Sequence, residues 1–208
     1  MIRYDNISLS LIIMASAFSV YMFLFAQKAE WLFPATLACF GLVLGWFITK
    51  KFSVDQEISP SEAGNIFVHT VIALVGIGIG GFISGKLSTV PAFVHKLSLT
   101  PYDLTIYSIL MAIAEEPFFR GFLSNLFLVK LPTFVALLLS AGVFGLYHMK
   151  VYGTSPEELS FALIAGLVLT YIAYKTQRTT PGMFAHIINN AMDVIMDLIK
   201  QFLGGIIR

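Results

Sequence analysis

Seven apolar stretches, each long enough to cross a lipid bilayer as a helix, dominate this 208-residue chain and limit what it can fold into. A spanning helix needs about 20 predominantly apolar residues. In chain order the stretches are Ile7–Ala26, Trp31–Ile48, Ala63–Gly85, Asp103–Val129, Thr133–Met149, Leu159–Tyr174 and Pro181–Ile199. In lipid only helices and closed barrels satisfy their backbone hydrogen bonds, and these stretches lack the alternating pattern of barrel strands. The sequence therefore predicts an all-α, polytopic transmembrane bundle of about seven helices.

Composition supports a membrane protein and excludes other classes. Hydrophobic residues make up 57% of the chain and charged residues 12%, whereas an average soluble domain carries about 25% charged residues. The formal net charge is +1, so the charge balance does not predict a nucleic-acid partner. The chain has a single cysteine, Cys39, so no disulfide can form within it. Cys39 lies inside an apolar stretch. We expect an integral, multi-pass membrane protein, located in the plasma membrane if the source is a prokaryote.

The chain divides into regions according to where its polar residues fall. Residues 1–100 hold about three apolar stretches and a polar linker after Lys51, and we expect three transmembrane helices there. Residues 101–200 hold four stretches that carry most of the ionisable side chains found within apolar sequence, and we expect these to form a functional core. Residues 201–208 form a short tail. The third stretch contains closely spaced glycines that would let another helix approach: Gly76, Gly78, Gly80 and Gly81.

Ionisable side chains inside membrane helices are costly, so each needs a partner, water or a function. A charge near the bilayer centre costs about 2.5–3.5 kcal/mol on insertion scales. The polar residues inside the apolar stretches are His69, Glu115, Glu116, Arg120, His148, His186, Asn190, Asp193 and Asp197. His69, Asp193 and Asp197 belong to no such group of polar residues and are predicted to be packing or interfacial residues. An alternative role for Asp193 is to assist Asn190.

Glu115 and Glu116 lie together in the fourth stretch, and Arg120 follows one helical turn later. Glu116 and Arg120 are spaced i,i+4, which places them on one helix face as an ion pair. Glu115 points about 100° away from its neighbour and is available as a general base or acid. Pro117 lacks a backbone donor and clashes with the carbonyl of Ile113, so we expect a kink that gives water room beside the glutamates. A purely structural ion pair and a merely tolerated kink are the alternatives.

Three further polar residues lie on two later stretches. His148 lies at the end of the fifth stretch, with Phe144 one turn before it. His186 and Asn190 share one face of the seventh stretch. Taken singly they could be an interfacial histidine and a hydrogen-bonding pair between helices. Taken with the glutamates and the arginine, they supply a base, an imidazole that orients water, and donors for a developing oxyanion, as peptide hydrolysis requires. The same glutamate and histidine side chains could instead bind zinc, although an HExxH motif is absent.

In order and spacing these residues resemble the three motifs of the CPBP family of intramembrane proteases. That family includes the type II CAAX prenyl endopeptidases and the bacteriocin-processing Abi proteins. Its motifs EExxxR, FxxxH and HxxxN/D correspond to Glu115–Arg120, Phe144–His148 and His186–Asn190. The likeness covers about residues 103–197. EExxxR alone would be unspecific, whereas three motifs in this order on successive helices are specific.

The resemblance implies an intramembrane endopeptidase and gives roles to the motif residues. Glu115 and His148 would activate the attacking water. His186 and Asn190 would stabilise the tetrahedral oxyanion. The family has been described both as metalloproteases and as metal-free, glutamate-based enzymes. The cofactor expectation therefore stays open between none and a zinc ion bound by Glu115, His148 and His186.

The resemblance also implies a substrate class, namely a membrane-bound or lipidated peptide or protein. From a prenylated substrate the enzyme would remove the last three residues after the lipidated cysteine. Glu116 and Arg120 would shape and neutralise the site, with Phe144 packed beside it. A non-enzymatic immunity or scaffold protein of the same fold is the main alternative, but it would not need so many costly polar groups in lipid. A proton-coupled carrier ranks last, because the chain shows no inverted repeat.

Overall fold

The structure is a computed structural model, and it describes residues 1–49, 59–85, 101–152 and 155–192. Within these ranges the chain is helical almost throughout, and the one extended pairing is an isolated bridge between Arg3 and Arg178. The predicted all-α membrane bundle is therefore confirmed. Three predicted features lie outside the described residues: the polar linker over residues 53–58, the pair Asp193 and Asp197, and the tail 201–208. The end of the predicted linker, residues 59–61, is described and begins α3.

The described residues form a series of helices that follows the predicted apolar stretches. They are α1 (Asn6–Ala26), a 3-10 turn (Ala29–Trp31), α2 (Leu32–Thr49), α3 (Pro60–Ile83), α4 (Pro101–Glu116), a π-helical segment (Pro117–Ser124), α5 (Asn125–Lys130), α6 (Thr133–Tyr152), α7 (Pro156–Thr176) and α8, described over residues 180–192. By length and composition, α1, α2 with its preceding turn, α3 and α7 can each cross a membrane. The fourth stretch corresponds to α4, the π-helical segment and α5 in succession.

Short polar sequences set the starts of the membrane helices. The Ser59 side chain accepts a hydrogen bond from the backbone of Glu62, and the Glu62 side chain accepts one from the Ser59 backbone at 2.9 Å. This reciprocal capping box begins α3. Ser155 caps α7, and Pro156 follows in the first turn, where its missing N–H has no helical partner to lose. α7 therefore begins at Pro156, three residues before the predicted apolar stretch Leu159–Tyr174.

Two apolar clusters hold the early helices against the later ones. The first joins α1, α2, α4 and α8 through Tyr4, Ile12, Ala15, Trp31, Ala38, Leu110, Ile113, Ala114 and Met183. The second joins α3, α7 and α8 through Ala73, Ile77, Phe161, Ala165, Leu169, Ile172 and Ala185. In lipid such clusters stabilise the bundle through close packing. Because α8 contributes to both, its polar residues are held from two sides.

Glycines on α3 let α7 approach closely, as the small-residue pattern predicts. A Cβ atom added to Gly76 would lie 2.9 Å from Val168, and one added to Gly80 would lie 2.6 Å from Ile164. Both distances are too short for a side chain, so glycine is required at these two positions. Gly78 faces open space. The close approach therefore uses one face of the glycine-rich sequence.

Candidate active site

The helix that carries the two glutamates changes its geometry at Pro117. α4 ends at Glu116, the segment Pro117–Ser124 is π-helical, and α5 follows it directly. Proline has no N–H to complete the α-helical pattern, and π-helical turns are rare segments often found at functional sites. At the position where the sequence predicts a kink, the structure therefore has a wider turn, directly after the glutamates.

Glu116 and Arg120 form a buried ion pair across this turn. Arg120 Nη1 lies 3.1 Å from Glu116 Oε1, and neither side chain is exposed. The guanidinium carbon of Arg120 also lies 4.4 Å from the centre of the Phe144 ring, which adds a cation–π contact. Phe144 can pack this closely because Gly166 on α7 leaves room for its ring. The predicted pairing of Glu116 with Arg120 is thus present, with Phe144 beside it.

His186 brings α8 to the same carboxylate. Its Nδ1 atom lies 3.1 Å from Glu116 Oε1. A carboxylate paired with Arg120 accepts hydrogen bonds, so the His186 Nδ1 carries the proton. The other ring nitrogen, Nε2, then faces Glu115 Oε2 at 3.7 Å. Sequence reasoning gave Glu116 one partner, Arg120. In the structure Glu116 also contacts His186 and thereby sets which ring nitrogen of His186 carries the proton.

His148 approaches Glu115 from α6. Its Nδ1 atom donates to the backbone oxygen of Phe144 at 2.8 Å, because a carbonyl oxygen can only accept. Its Nε2 atom is thereby left to face Glu115 Oε2 at 3.9 Å. The sequence predicted that this helix ends at Met149, but α6 continues to Tyr152. His148 therefore lies one turn inside the helix, where the backbone fixes its ring.

Three side chains from three helices thus converge on one point. Glu115 Oε2 lies between the two Nε2 atoms, at 3.9 Å from His148 and 3.7 Å from His186. The three residues are buried. Both separations exceed a direct hydrogen bond and suit a single water molecule that contacts all three groups. The arrangement can hold and polarise one water in apolar surroundings.

Asn190 connects α8 to the backbone of α4. Its Nδ2 atom donates to the carbonyl oxygen of Ser108 at 3.0 Å, and its Oδ1 atom accepts from Asn189 at 3.3 Å. The side chain is half-buried. One of its amide hydrogens is thus engaged on α4 and the other can serve a ligand. The role of Asn190 as an oxyanion donor stays a prediction.

A zinc ion bound by Glu115, His148 and His186 is the alternative to a metal-free site. Zinc takes nitrogen and oxygen ligands tetrahedrally at about 2.0–2.2 Å. Among residues 1–49, 59–85, 101–152 and 155–192, no group of three His, Cys, Asp or Glu side chains has an arrangement that could hold a metal ion. Glu115, His148 and His186 as placed therefore do not fit zinc, and the steps proposed below use protein groups and water.

Sequence reasoning missed Tyr147, the residue before His148. Its hydroxyl lies close to the Glu115 carboxylate, and its ring lies 5.2 Å from that of Phe119. The tyrosine therefore contributes to the environment of the proposed base. Its sequence position beside a motif histidine was the available signal, but an aromatic residue there is equally typical of helix packing.

Comparison with known proteins shows that one family model is similar to the later half of the chain. Residues 97–192 match the family model described as type II CAAX prenyl endopeptidase Rce1-like. This match covers 96 of the 208 residues, and we call residues 97–192 the Rce1-like core after the model that they resemble. All three motifs of the CPBP resemblance lie inside this range, so that resemblance is confirmed.

One relative of the chain is itself described as a membrane peptidase. The "Putative membrane peptidase YdiL" of Bacillus subtilis (strain 168) is 28% identical to this chain over 156 residues. The alignment covers 72% of this chain, and it spans 60% of the length of the relative. It therefore extends beyond the Rce1-like core. No solved structure matches the chain.

Proposed function

We propose that this chain is an intramembrane endopeptidase that hydrolyses a peptide bond in a membrane-bound or prenylated substrate. The observation that carries the proposal is the convergence of Glu115, His148 and His186 from α4, α6 and α8. Ionisable groups in apolar surroundings cost free energy, and a scaffold gains nothing from turning three of them towards one another. In this proposal the protein is a multi-pass protein of the plasma membrane if its source is a prokaryote.

In the proposed reaction Glu115 is the general base. A water molecule between Glu115 Oε2 and the two Nε2 atoms transfers a proton to Glu115 while its oxygen attacks the carbonyl carbon of the scissile bond. His148 carries its ring proton on Nδ1, bonded to Phe144, so its Nε2 lone pair accepts the second hydrogen of that water. This contact aims the oxygen lone pair of the water at the substrate.

The attack turns the carbonyl oxygen into an oxyanion, which needs hydrogen-bond donors. His186 donates from Nε2 when both of its ring nitrogens carry protons, and the Glu116 carboxylate on its Nδ1 stabilises that form. The second amide hydrogen of Asn190 is a further donor. When the tetrahedral intermediate collapses, the bond from carbon to nitrogen breaks and Glu115 returns its proton to the leaving amine.

The Glu116–Arg120 pair keeps this machinery electrically balanced. Arg120 offsets the charge of Glu116 at 3.1 Å, so that Glu116 can hold His186 without adding a net charge to the buried site. Glu115 then remains the carboxylate that exchanges the proton. The two adjacent glutamates therefore take different roles: Glu116 is paired with a permanent cation, whereas Glu115 faces the Nε2 atoms of two histidines.

A lipidated substrate suits a site built on membrane helices. A peptide next to a prenyl or other membrane anchor is held at the bilayer, which raises its local concentration near the site. The Rce1-like match supports a peptide with a prenylated cysteine as the first substrate to test. In that case the products are the shortened lipidated chain and a short peptide from its carboxyl end.

Cleavage of a defined peptide tests the proposal. Purified protein in liposomes is mixed with an internally quenched peptide that carries a farnesylated cysteine followed by three residues. We expect His148→Ala to abolish cleavage and His69→Ala to retain it. His69 is a matched control, since its Nδ1 also contacts the carbonyl four residues earlier, that of Asn65, at 2.8 Å. Full activity in His148→Ala would contradict the proposal, and wild-type protein inert towards lipidated and plain peptides would favour a scaffold.

A further inference from the structure

The residues that precede α1 are packed into the bundle rather than lying along its surface. Ile2 is 1% exposed and Tyr4 is 5% exposed. The backbone N–H of Arg3 donates to the Gln177 carbonyl at 2.9 Å, and the Thr179 N–H donates to the Arg3 carbonyl at 3.1 Å. This short segment therefore pairs with the connection between α7 and α8. We call residues 2–5 the N-terminal segment.

Asn125 attaches the same segment to the end of the π-helical turn. Its Oδ1 atom accepts from the Ile2 N–H at 2.9 Å. Its Nδ2 atom donates to the carbonyls of Ile2 at 2.9 Å and Gly121 at 2.8 Å. Asn125 is fully buried, so all its polar atoms serve this connection. Ile2 and Arg3 thus fix the N-terminal segment before Tyr4, and the Thr180 hydroxyl donates a hydrogen bond to the Asp5 carboxylate after it.

Between these attachments, the Tyr4 hydroxyl reaches the backbone next to the proposed catalytic glutamates. It lies 3.1 Å from the Pro117 carbonyl oxygen and 3.4 Å from that of Gly41. Pro117 directly follows Glu116. A carbonyl in a π-helical turn is displaced from the ordinary α-helical pattern, and here a tyrosine from a distant part of the chain supplies a donor for it.

Glycines form the slot that receives this hydroxyl. A Cβ atom on Gly45 would lie 2.8 Å from the Tyr4 oxygen, and one on Gly121 would collide with it. A Cβ atom on Gly41 would lie 2.6 Å from the Pro117 carbonyl carbon. α2 therefore packs directly on the backbone of the π-helical turn, with the phenol inserted between them. The slot admits a hydroxyl of this size and leaves no room for a side chain at the three glycines.

We propose that Tyr4 is a positioning residue of the active site, because its hydroxyl fixes the turn across which Glu116 meets Arg120. Glu116 in turn holds the Nδ1 atom of His186 at 3.1 Å. A change in the turn therefore moves the imidazole relative to Glu115. This inference rests on the proposed peptidase function and extends it: residues outside the Rce1-like core set the geometry inside it.

The test variant is Tyr4→Phe, which keeps the ring and removes the hydroxyl. In the farnesyl-peptide assay we expect kcat to fall about tenfold, since small misplacements of catalytic groups slow the chemical step, with KM within about twofold. The matched control is Tyr21→Phe on the exposed face of α1, which should leave both constants unchanged. Unchanged kcat in Tyr4→Phe would overturn the proposal.

A second readout does not depend on any substrate. With histidines labelled at the ring carbon Cε1, the NMR signal of His186 should shift in Tyr4→Phe, while that of His69 stays in place. The signals are assigned with single His→Gln variants. An unshifted His186 signal would overturn the positioning role. Failure of the wild-type protein to cleave any peptide would overturn the proposed function alone, because the NMR comparison would still decide the role of Tyr4.

Gly45→Ala provides an independent route to the same displacement. Its added methyl group would press on the Tyr4 oxygen, so we expect the same His186 shift and a similar loss of kcat. In the Tyr4→Phe background, which lacks that oxygen, Gly45→Ala should add little. Effects of the two substitutions that simply add would contradict a shared mechanism. If Tyr4→Phe fails to fold, the single Gly45→Ala variant decides through the His186 signal.

Discussion

Replacing Arg120 with methionine should remove much of the stability of the bundle. Arg120 is fully buried, with Glu116 at 3.1 Å and the Phe144 ring centre at 4.4 Å. The substitution keeps the volume but leaves the Glu116 carboxylate without its cation. Removing one partner of a buried ion pair costs about 3–5 kcal/mol, which is a large part of the usual 5–15 kcal/mol of folding stability. We expect a loss of about 3–5 kcal/mol in the free energy of unfolding.

Reversible unfolding in mixed detergent micelles measures this loss. The double variant Glu116→Gln with Arg120→Met removes both charges, so it should be more stable than Arg120→Met alone. Lys130→Met is the control, because Lys130 is an exposed cation at the end of α5, and it should change stability by less than about 0.5 kcal/mol. A loss below about 1 kcal/mol in Arg120→Met, or a double variant that is less stable still, would refute the reasoning.

Three further predictions concern helix packing, the cofactor and the oxyanion. Gly80→Val should lower the free energy of unfolding by about 1–3 kcal/mol, because Ile164 lies 2.6 Å from the added Cβ, whereas Gly78→Val, which faces open space, should cost less in the same assay. Exhaustive chelation should leave peptide cleavage within about twofold, since the proposed base is Glu115 acting on water; activity lost on chelation and restored by zinc would contradict this. Asn190→Ala should lower kcat about 10²-fold with little change in KM, and a change confined to thermal stability would reduce Asn190 to a connection between α8 and α4.

Local sequence predicted the helices and part of the site. A helix that crosses a bilayer needs a continuous run of apolar residues, so the apolar stretches could be read directly from the sequence. The i,i+4 spacing likewise predicted that Glu116 meets Arg120. The contact between Glu116 and His186 could not be read in this way, because it depends on how α8 is rotated against α4. The motifs indicated convergence without showing which histidine contacts which glutamate.

The N-terminal segment and the π-helical turn were outside the reach of sequence reasoning for different reasons. Tyr4 precedes the first apolar stretch, where an aromatic residue ordinarily marks a membrane interface. Its burial depends on glycines of α2 and on Gly121, which meet only in the assembled bundle. Pro117 predicted an interrupted helix, but either a kink or a π-helical turn can accommodate the hydrogen bond that proline does not form. In this protein the turn is π-helical, and α2 packs directly on it.

The decisive measurement is the rate of farnesyl-peptide cleavage by Glu115→Gln in liposomes. This substitution keeps the shape of the side chain between His148 and His186 and removes its ability to take a proton from water. Loss of a general base lowers rates about 10²–10⁴-fold, so we predict a fall in that range with unchanged thermal unfolding. A variant that is folded as well as the wild type and cleaves at half its rate or more would contradict the account.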